Sequence, residues 1–153
     1  MLIASILGRN DVTAALPSGG KREVLAALVD LVQSNHVELN REQLLQVLLR
    51  REELRSTGVE AGVAFPHGRV PRLPRLLACF GRSRKGIAFD SFDGRPTHFF
   101  FVLLVPEDAE GSHLKALARL NRMFQDAGFR DRLQAAADAQ ELYELIVAQD
   151  AKA

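Results

Sequence analysis

One cysteine in 153 residues leaves this chain without an internal disulfide, which fits a reducing compartment. Cys79 lies in the apolar run Leu76-Leu77-Ala78-Cys79-Phe80 and reads as a small buried hydrophobe. No charge of one sign dominates: Lys and Arg total 20 against 19 Asp and Glu, a net +1. That balance gives no electrostatic reason to expect nucleic acid or acidic membranes as partners. The longest apolar block, residues 99–105, is far too short for a bilayer, which takes about twenty residues. The opening Met1-Leu2-Ile3-Ala4-Ser5-Ile6-Leu7 has no basic start, and its apolar run is too short for a signal peptide. There is no internal repeat, low-complexity tract or linker, and no Walker loop, dinucleotide fingerprint or zinc-ligand spacing. The expectation is a cytoplasmic protein, not inserted in a membrane, with neither metal nor cofactor.

What is present supports one globular domain over residues 1–153. The chain is 47% apolar and 25% charged, a composition that folds. Residues 21–33 put Val24, Leu25, Leu28, Leu31 and Val32 on one helical face. Asn40, with Gln43 three residues on, predicts the N-terminus of a second helix. Leu44, Leu45, Leu48 and Leu49 line that helix, which should end near Leu54. Ser56-Thr57-Gly58 reads as a loop and Gly62-Val63-Ala64-Phe65 as a short buried strand, stopped by Pro66. Residues 75–83 and 86–89 read as two further strands, and Asp93-Gly94 as a turn. Residues 97–105 are apolar on both faces, as a central strand is, and Pro106 closes them. Ser112 is expected to cap a helix with Leu114, Leu117, Leu120 and Phe124 on its apolar face. Phe129 and Leu133 belong to a short helix, and Asp138 with Glu141 opens a last one carrying Leu142, Leu145 and Ile146. Helices, then strands, then helices imply an α/β sandwich: a mixed β-sheet flanked by helices.

The chemistry concentrates in residues 51–68. Here His67 follows a short strand, between the stiff Pro66 and the permissive Gly68. An imidazole is largely unprotonated above its ordinary pKa of about 6.5 and is then a good nucleophile. Pro-His-Gly alone reads as no more than a turn, so the surrounding residues decide.

Those residues are Arg51-Glu52, Ser56-Thr57-Gly58, Gly62-Val63-Ala64 and Pro66-His67-Gly68. Further on come Gly86-Ile87-Ala88-Phe89-Asp90, the stretch 93–96, Leu103-Leu104-Val105-Pro106 and Ser112-His113-Leu114. The tail adds Phe129, Leu133 and Glu141-Leu142. In this order and spacing the chain resembles the enzyme IIA domain of the fructose–mannitol class of the bacterial phosphoenolpyruvate-dependent phosphotransferase system. Within that class it resembles the nitrogen-regulatory IIA members most. The resemblance spans nearly the whole chain. It implies that His67 is phosphorylated by HPr or an HPr-like phosphocarrier, with Arg51 and His113 as its site companions. A phosphoryl group brings roughly one and a half to two negative charges, which Arg51 can meet with a planar fork of donors. His113, in the first turn of a helix, sits where free N–H groups favour an anion. Ser56 and Thr57 are expected to support the phosphate with hydroxyl donors.

Two positions depart from the family's pattern. Glu60 replaces a usual Gly or Ala, and Phe65 replaces an aliphatic residue. A solvated Glu60 is harmless, whereas one facing His67 would disfavour the phosphorylated state. The other histidines read as structural: His36 ends the first helix and His98 opens a strand. The basic residues from Arg69 to Lys85 read as solvated charges, since nucleic-acid binding would need interleaved aromatics. The leading function is therefore a phosphocarrier of nitrogen-regulatory type, whose phosphorylation state controls partner proteins. The resemblance implies targets such as a potassium transporter or a sensor kinase. Such relatives are free-standing, and this chain stops at Ala153 without a fused IIB or membrane unit. Two alternatives stand beside it. One is a sugar-transport IIA passing phosphoryl to a IIB domain for fructose or mannitol; the other is a binding module that is not phosphorylated.

Overall fold

A computed structural model describes residues 2–153. Met1, counted in the apolar opening of the sequence, lies outside the described residues. A 3-10 turn over Ile3–Ser5 leads into β1 (Leu7–Thr13), followed by α1 (Lys21–Asn35) and α2 (Arg41–Leu54). Then come β2 (Val63–Ala64), β3 (His67–Val70), β4 (Leu77–Ile87) and β5 (Thr97–Pro106). The chain finishes with α3 (Ser112–Phe124), α4 (Ala127–Ala135) and α5 (Ala139–Lys152).

The sheet runs β1-β4-β5, with β2 and β3 sharing the far side of β5. β4 and β5 are antiparallel, while β1 joins β4, and β2 and β3 join β5, in parallel. The sheet is therefore mixed, as expected. Alternation along β5 divides the core. Phe99, Phe101, Leu103 and Val105 meet α3, α4 and α5, whereas Phe100, Val102 and Leu104 meet α1 and α2. A strand buried on both faces is apolar at every position for this reason.

Helix starts follow their caps. Asn40 Oδ1 accepts from the Gln43 N–H at 3.0 Å, and Asp138 Oδ1 from the Glu141 N–H at 2.9 Å. Each satisfies a backbone donor that the first turn would otherwise leave unpaired. Ser112 does not act this way. Gly111, at φ 85°, occupies the cap position without a side-chain bond, and Ser112 is the first helical residue. The buried face of α3 is Ala116, Leu120, Met123 and Phe124; Leu117 is half-buried and Leu114 is exposed. In α1, Val29 is buried and Leu31 only partly so.

Three strand readings change. β1 was not anticipated, because only Leu7, Asp11 and Val12 are buried in its polar sequence and its register on β4 shifts between Leu7 and Val12. β3 has no apolar alternation to reveal it. Residues 75–89 do not form two strands: β4 runs unbroken to Ile87, bending at Gly86 with φ 86°. Glycine is suited to that positive φ, and the ladder shifts register between Arg82 and Ile87.

Arg82 is also not a solvated charge. It is 1% exposed and donates to the carbonyls of Ala14, Leu133 and Ala136. The cation thus joins β4 to the segment after β1 and to the C-terminus of α4, where a positive charge is favoured. Arg82→Met should leave those carbonyls without a donor and cost about 3 kcal/mol. Urea unfolding followed by circular dichroism would measure the loss.

Candidate functional site

Pro66 ends β2 but does not end the pairing with β5. The Leu103 N–H donates to the Pro66 carbonyl at 2.9 Å, and His67 opens β3 opposite Leu103. Across the two-residue break, Phe65 and Pro66, the His67 side chain turns back along the chain. Its Nδ1 lies 2.8 Å from the Phe65 carbonyl. A carbonyl can only accept, so Nδ1 carries the proton and Nε2 keeps its lone pair. Gly68 follows because α2 leaves little room for more: a Cβ there would collide with Val47 Cγ1.

Arg51, in the last turn of α2, lines the same open cleft as His67, together with Phe65, Leu117 and Asn121. Its Nη1 donates to the Arg55 carbonyl at 2.7 Å, which anchors the guanidinium on the loop after α2. His113 comes from the first turn of α3, its ring centroid 6.4 Å from that of His67. Its buried Nδ1 finds no hydrogen-bond partner among the described residues. The structure therefore brings Arg51, His67 and His113 together from three separate elements.

Ser56 and Thr57 are in the adjoining loop, with their hydroxyls turned to protein acceptors. Ser56 Oγ donates to the Phe89 carbonyl at 2.7 Å and accepts from the Gly58 N–H. Thr57 Oγ1 donates to Glu52. In this arrangement both hydroxyls shape the loop.

Burial lowers the pKa of His67 below the ordinary histidine value; the Phe65 carbonyl opposes the shift, and the Arg51 and His113 charges reinforce it. His113 is lowered too, first by burial and then by Arg69. Arg69, which donates to the Glu107 carbonyl at 2.9 Å, thus belongs to the electrostatics of the site. Glu52 does as well: its charge favours the protonated imidazole of His67. Glu52 stands in the Arg51-Glu52 motif, which gives it no role of its own, and Arg69 reads in sequence as a solvated charge; only its nearness to His67 hints at the site. Glu60 is exposed on the cleft rim, and Phe65 packs edge-on against Phe124 at 5.9 Å. Among the described residues no group of three His, Cys, Asp or Glu could hold a metal, and no helix is long and apolar enough to cross a membrane.

A nucleophilic imidazole with its other nitrogen tied back, beside a guanidinium and a second imidazole, suits phosphoryl chemistry. Residues 5–149 match the family described as phosphoenolpyruvate-dependent sugar phosphotransferase system, EIIA 2. The chain belongs to this family. It is 37% identical over 149 residues to a nitrogen regulatory protein of Bradyrhizobium diazoefficiens, covering 95% of each. It is 36% identical to a nitrogen regulatory protein of Pseudomonas aeruginosa, covering 86% of each. The crystal structure of nitrogen regulatory protein IIA-Ntr from Neisseria meningitidis superposes with a TM-score of 0.87 at 32% identity, covering 94% of this chain and 98% of that one. The protein is thus a phosphotransferase-system component of IIA nitrogen type.

The lowered pKa has a defined consequence in solution. The His67 imidazole should titrate below about 6.5, and stay neutral throughout the physiological range. An NMR pH titration should place its midpoint on the acid side of a free histidine. The unfolded chain binds this proton more tightly, so His67 contributes stability above about pH 6.5 that is lost as pH falls through the folded value.

Proposed function

We propose that His67 accepts a phosphoryl group from an HPr-like phosphocarrier, and that its phosphorylation state regulates partner proteins. The bond from His67 Nδ1–H to the Phe65 carbonyl carries this reading, because it leaves Nε2 as the nucleophile. In the transfer, the Nε2 lone pair forms a bond to phosphorus as the bond to the donor breaks. The electron pair of that bond leaves with the donor. The phosphorylated His67 then carries roughly one and a half to two negative charges.

Arg51 and His113 stabilise that charge. The guanidinium offers charge-assisted hydrogen bonds, and the His113 ring, 6.4 Å from that of His67 between centroids, adds a second imidazole beside the acceptor. Ser56 and Thr57 support the phosphate indirectly by fixing the loop beside it. The reading sets the protein in the cytoplasm, where the phosphoenolpyruvate-driven cascade operates. Similarity to nitrogen regulatory proteins at 36–37% identity favours regulation over sugar uptake.

Incubation with phosphoenolpyruvate, enzyme I and an HPr-type carrier should add the mass of one phosphoryl group. The adduct should be acid-labile and base-stable, as a phosphoramidate is. His67→Ala should fold and gain nothing; labelling of the folded variant would remove His67 from the role. Arg51→Ala and His113→Ala should each slow transfer about a hundredfold, from a loss on the order of 3 kcal/mol per positioned donor. Mixing the phosphorylated protein with a fructose- or mannitol-type IIB domain separates the regulatory and transport roles. The phosphoryl group should stay on the protein, and rapid discharge to IIB would favour sugar transport.

Glu60→Gly tests the departure at the rim. For an exposed carboxylate, screening should hold the change in phosphorylated fraction to a few tenths of a kcal/mol. A large rise by mass spectrometry would mean that Glu60 acts on the phosphoryl group.

A further inference from the structure

We propose that Glu52 is a positioning residue for phosphoryl transfer, setting both His67 and Arg51 through Thr57. This rests on the reading of His67 as the phosphoryl acceptor.

Glu52 is buried, 6% exposed, in the last turn of α2. A buried carboxylate is costly unless charge and hydrogen bonds compensate, and here both are supplied. The Thr57 N–H lies 3.2 Å from each carboxylate oxygen, and the Thr57 hydroxyl donates to Oε1. Lys21 Nζ, at the start of α1, stands 3.5 Å from Oε2 and 3.2 Å from Asp90. The same ammonium rests over the Phe89 ring at 5.1 Å. One carboxylate therefore ties the loop after α2 to two helices.

From Thr57 the contacts run on in two directions. Its carbonyl accepts from the Phe65 N–H at 3.1 Å, and the Phe65 carbonyl accepts from His67 Nδ1 at 2.8 Å. Two residues before Thr57, the Arg55 carbonyl accepts from Arg51 Nη1 at 2.7 Å. The tautomer of the nucleophile and the aim of its guanidinium thus share one anchor. Loosening Thr57 would release the Phe65 N–H and let Phe65 shift its carbonyl from His67, and would slacken the Arg55 carbonyl that holds Arg51. The charge of Glu52 also bears on His67, favouring its protonated form against burial.

The test compares Thr57→Val, which keeps the shape and the N–H but loses the hydroxyl, with Thr57→Ser, which keeps the hydroxyl. Glu52→Gln removes the charge at constant size. Each variant is checked by thermal melting. Nitrogen-15 NMR then reads the His67 tautomer at pH 8, and single-turnover transfer from the phosphorylated HPr-type carrier is followed at varied donor concentration. Thr57→Val and Glu52→Gln should lower the maximal rate about tenfold, as a misplaced reacting group does, with the half-saturating donor concentration changed less than twofold. Both should shift His67 toward the Nε2–H tautomer, and Thr57→Ser should recover most of each property. If Glu52→Gln does not fold, the two Thr57 variants carry the test. Wild-type rate and tautomer in folded Thr57→Val overturn the inference. So does a rate loss with the tautomer unchanged, or one that Thr57→Ser does not rescue. A wild-type protein that never gains phosphoryl on His67 instead rejects the functional reading, while the NMR measurement still decides whether Thr57 sets the imidazole.

Discussion

The bond between the His67 imidazole and the Phe65 carbonyl is the constraint on which the site depends. It closes a turn across Pro66, whose own carbonyl stays paired to β5 through Leu103. The peptide units on both sides of the proline are therefore used, one for the sheet and one for the side chain. Proline suits this break because it has no N–H to leave unpaired. The histidine emerges as a rigid element of the sheet rim, and the choice of tautomer is made by the backbone. A mobile loop histidine would exchange tautomers freely and offer its lone pair only part of the time.

Around that nitrogen the charges are arranged against a resting cation. Burial, Arg51 and His113 each disfavour a protonated His67. On the proposed reading the Arg51 cation would also favour a dianion on Nε2, whereas burial by itself would oppose that charge as it opposes the cation. On that reading Arg51 is in place before the charge that transfer would create. Glu52 is a negative charge in a position that should oppose this. Its pairing with Lys21 and Thr57 limits that opposition. Its bonds to Thr57 join the end of α2 to the loop that follows.

Much of this was legible in the residues. The apolar periodicity of α1, α2 and α5, the Asn40 and Asp138 caps and the doubly buried β5 follow from local rules, and the structure contains them. The grouping of Arg51, His67 and His113 could be expected from the family resemblance, because no spacing rule links residues 51, 67 and 113. What escaped was tertiary in origin. β1 is held by pairing to β4 despite a polar sequence, so its pattern carries no period-two signal. Arg82 looks like a surface charge because its partners are backbone carbonyls, which have no sequence signature. The Ser56 and Thr57 hydroxyls read as phosphate donors until their acceptors, Phe89 and Glu52, are seen beside them.

The two histidines belong to different layers, so their 6.4 Å separation requires α3 to be fixed against the sheet. Exposure of Leu114 and half-burial of Leu117 mean that the start of α3 contributes little packing of its own. The anchors lie further along. Phe124 closes the helix against Phe65, the residue whose carbonyl holds His67, and also against Phe101 and Phe129. Arg119 pairs at 2.6 Å with Asp150, a buried carboxylate of α5 that also accepts from the Ala4 N–H. Rotation of α3 about its axis would therefore break a buried charge pair, which costs far more than an exposed one. Translation would separate aromatic rings that are in edge or tilted contact. His113 is held in place from the far end of its helix. Phe65 fits the same arrangement: its ring packs against Phe124 of α3 while its carbonyl locates the imidazole.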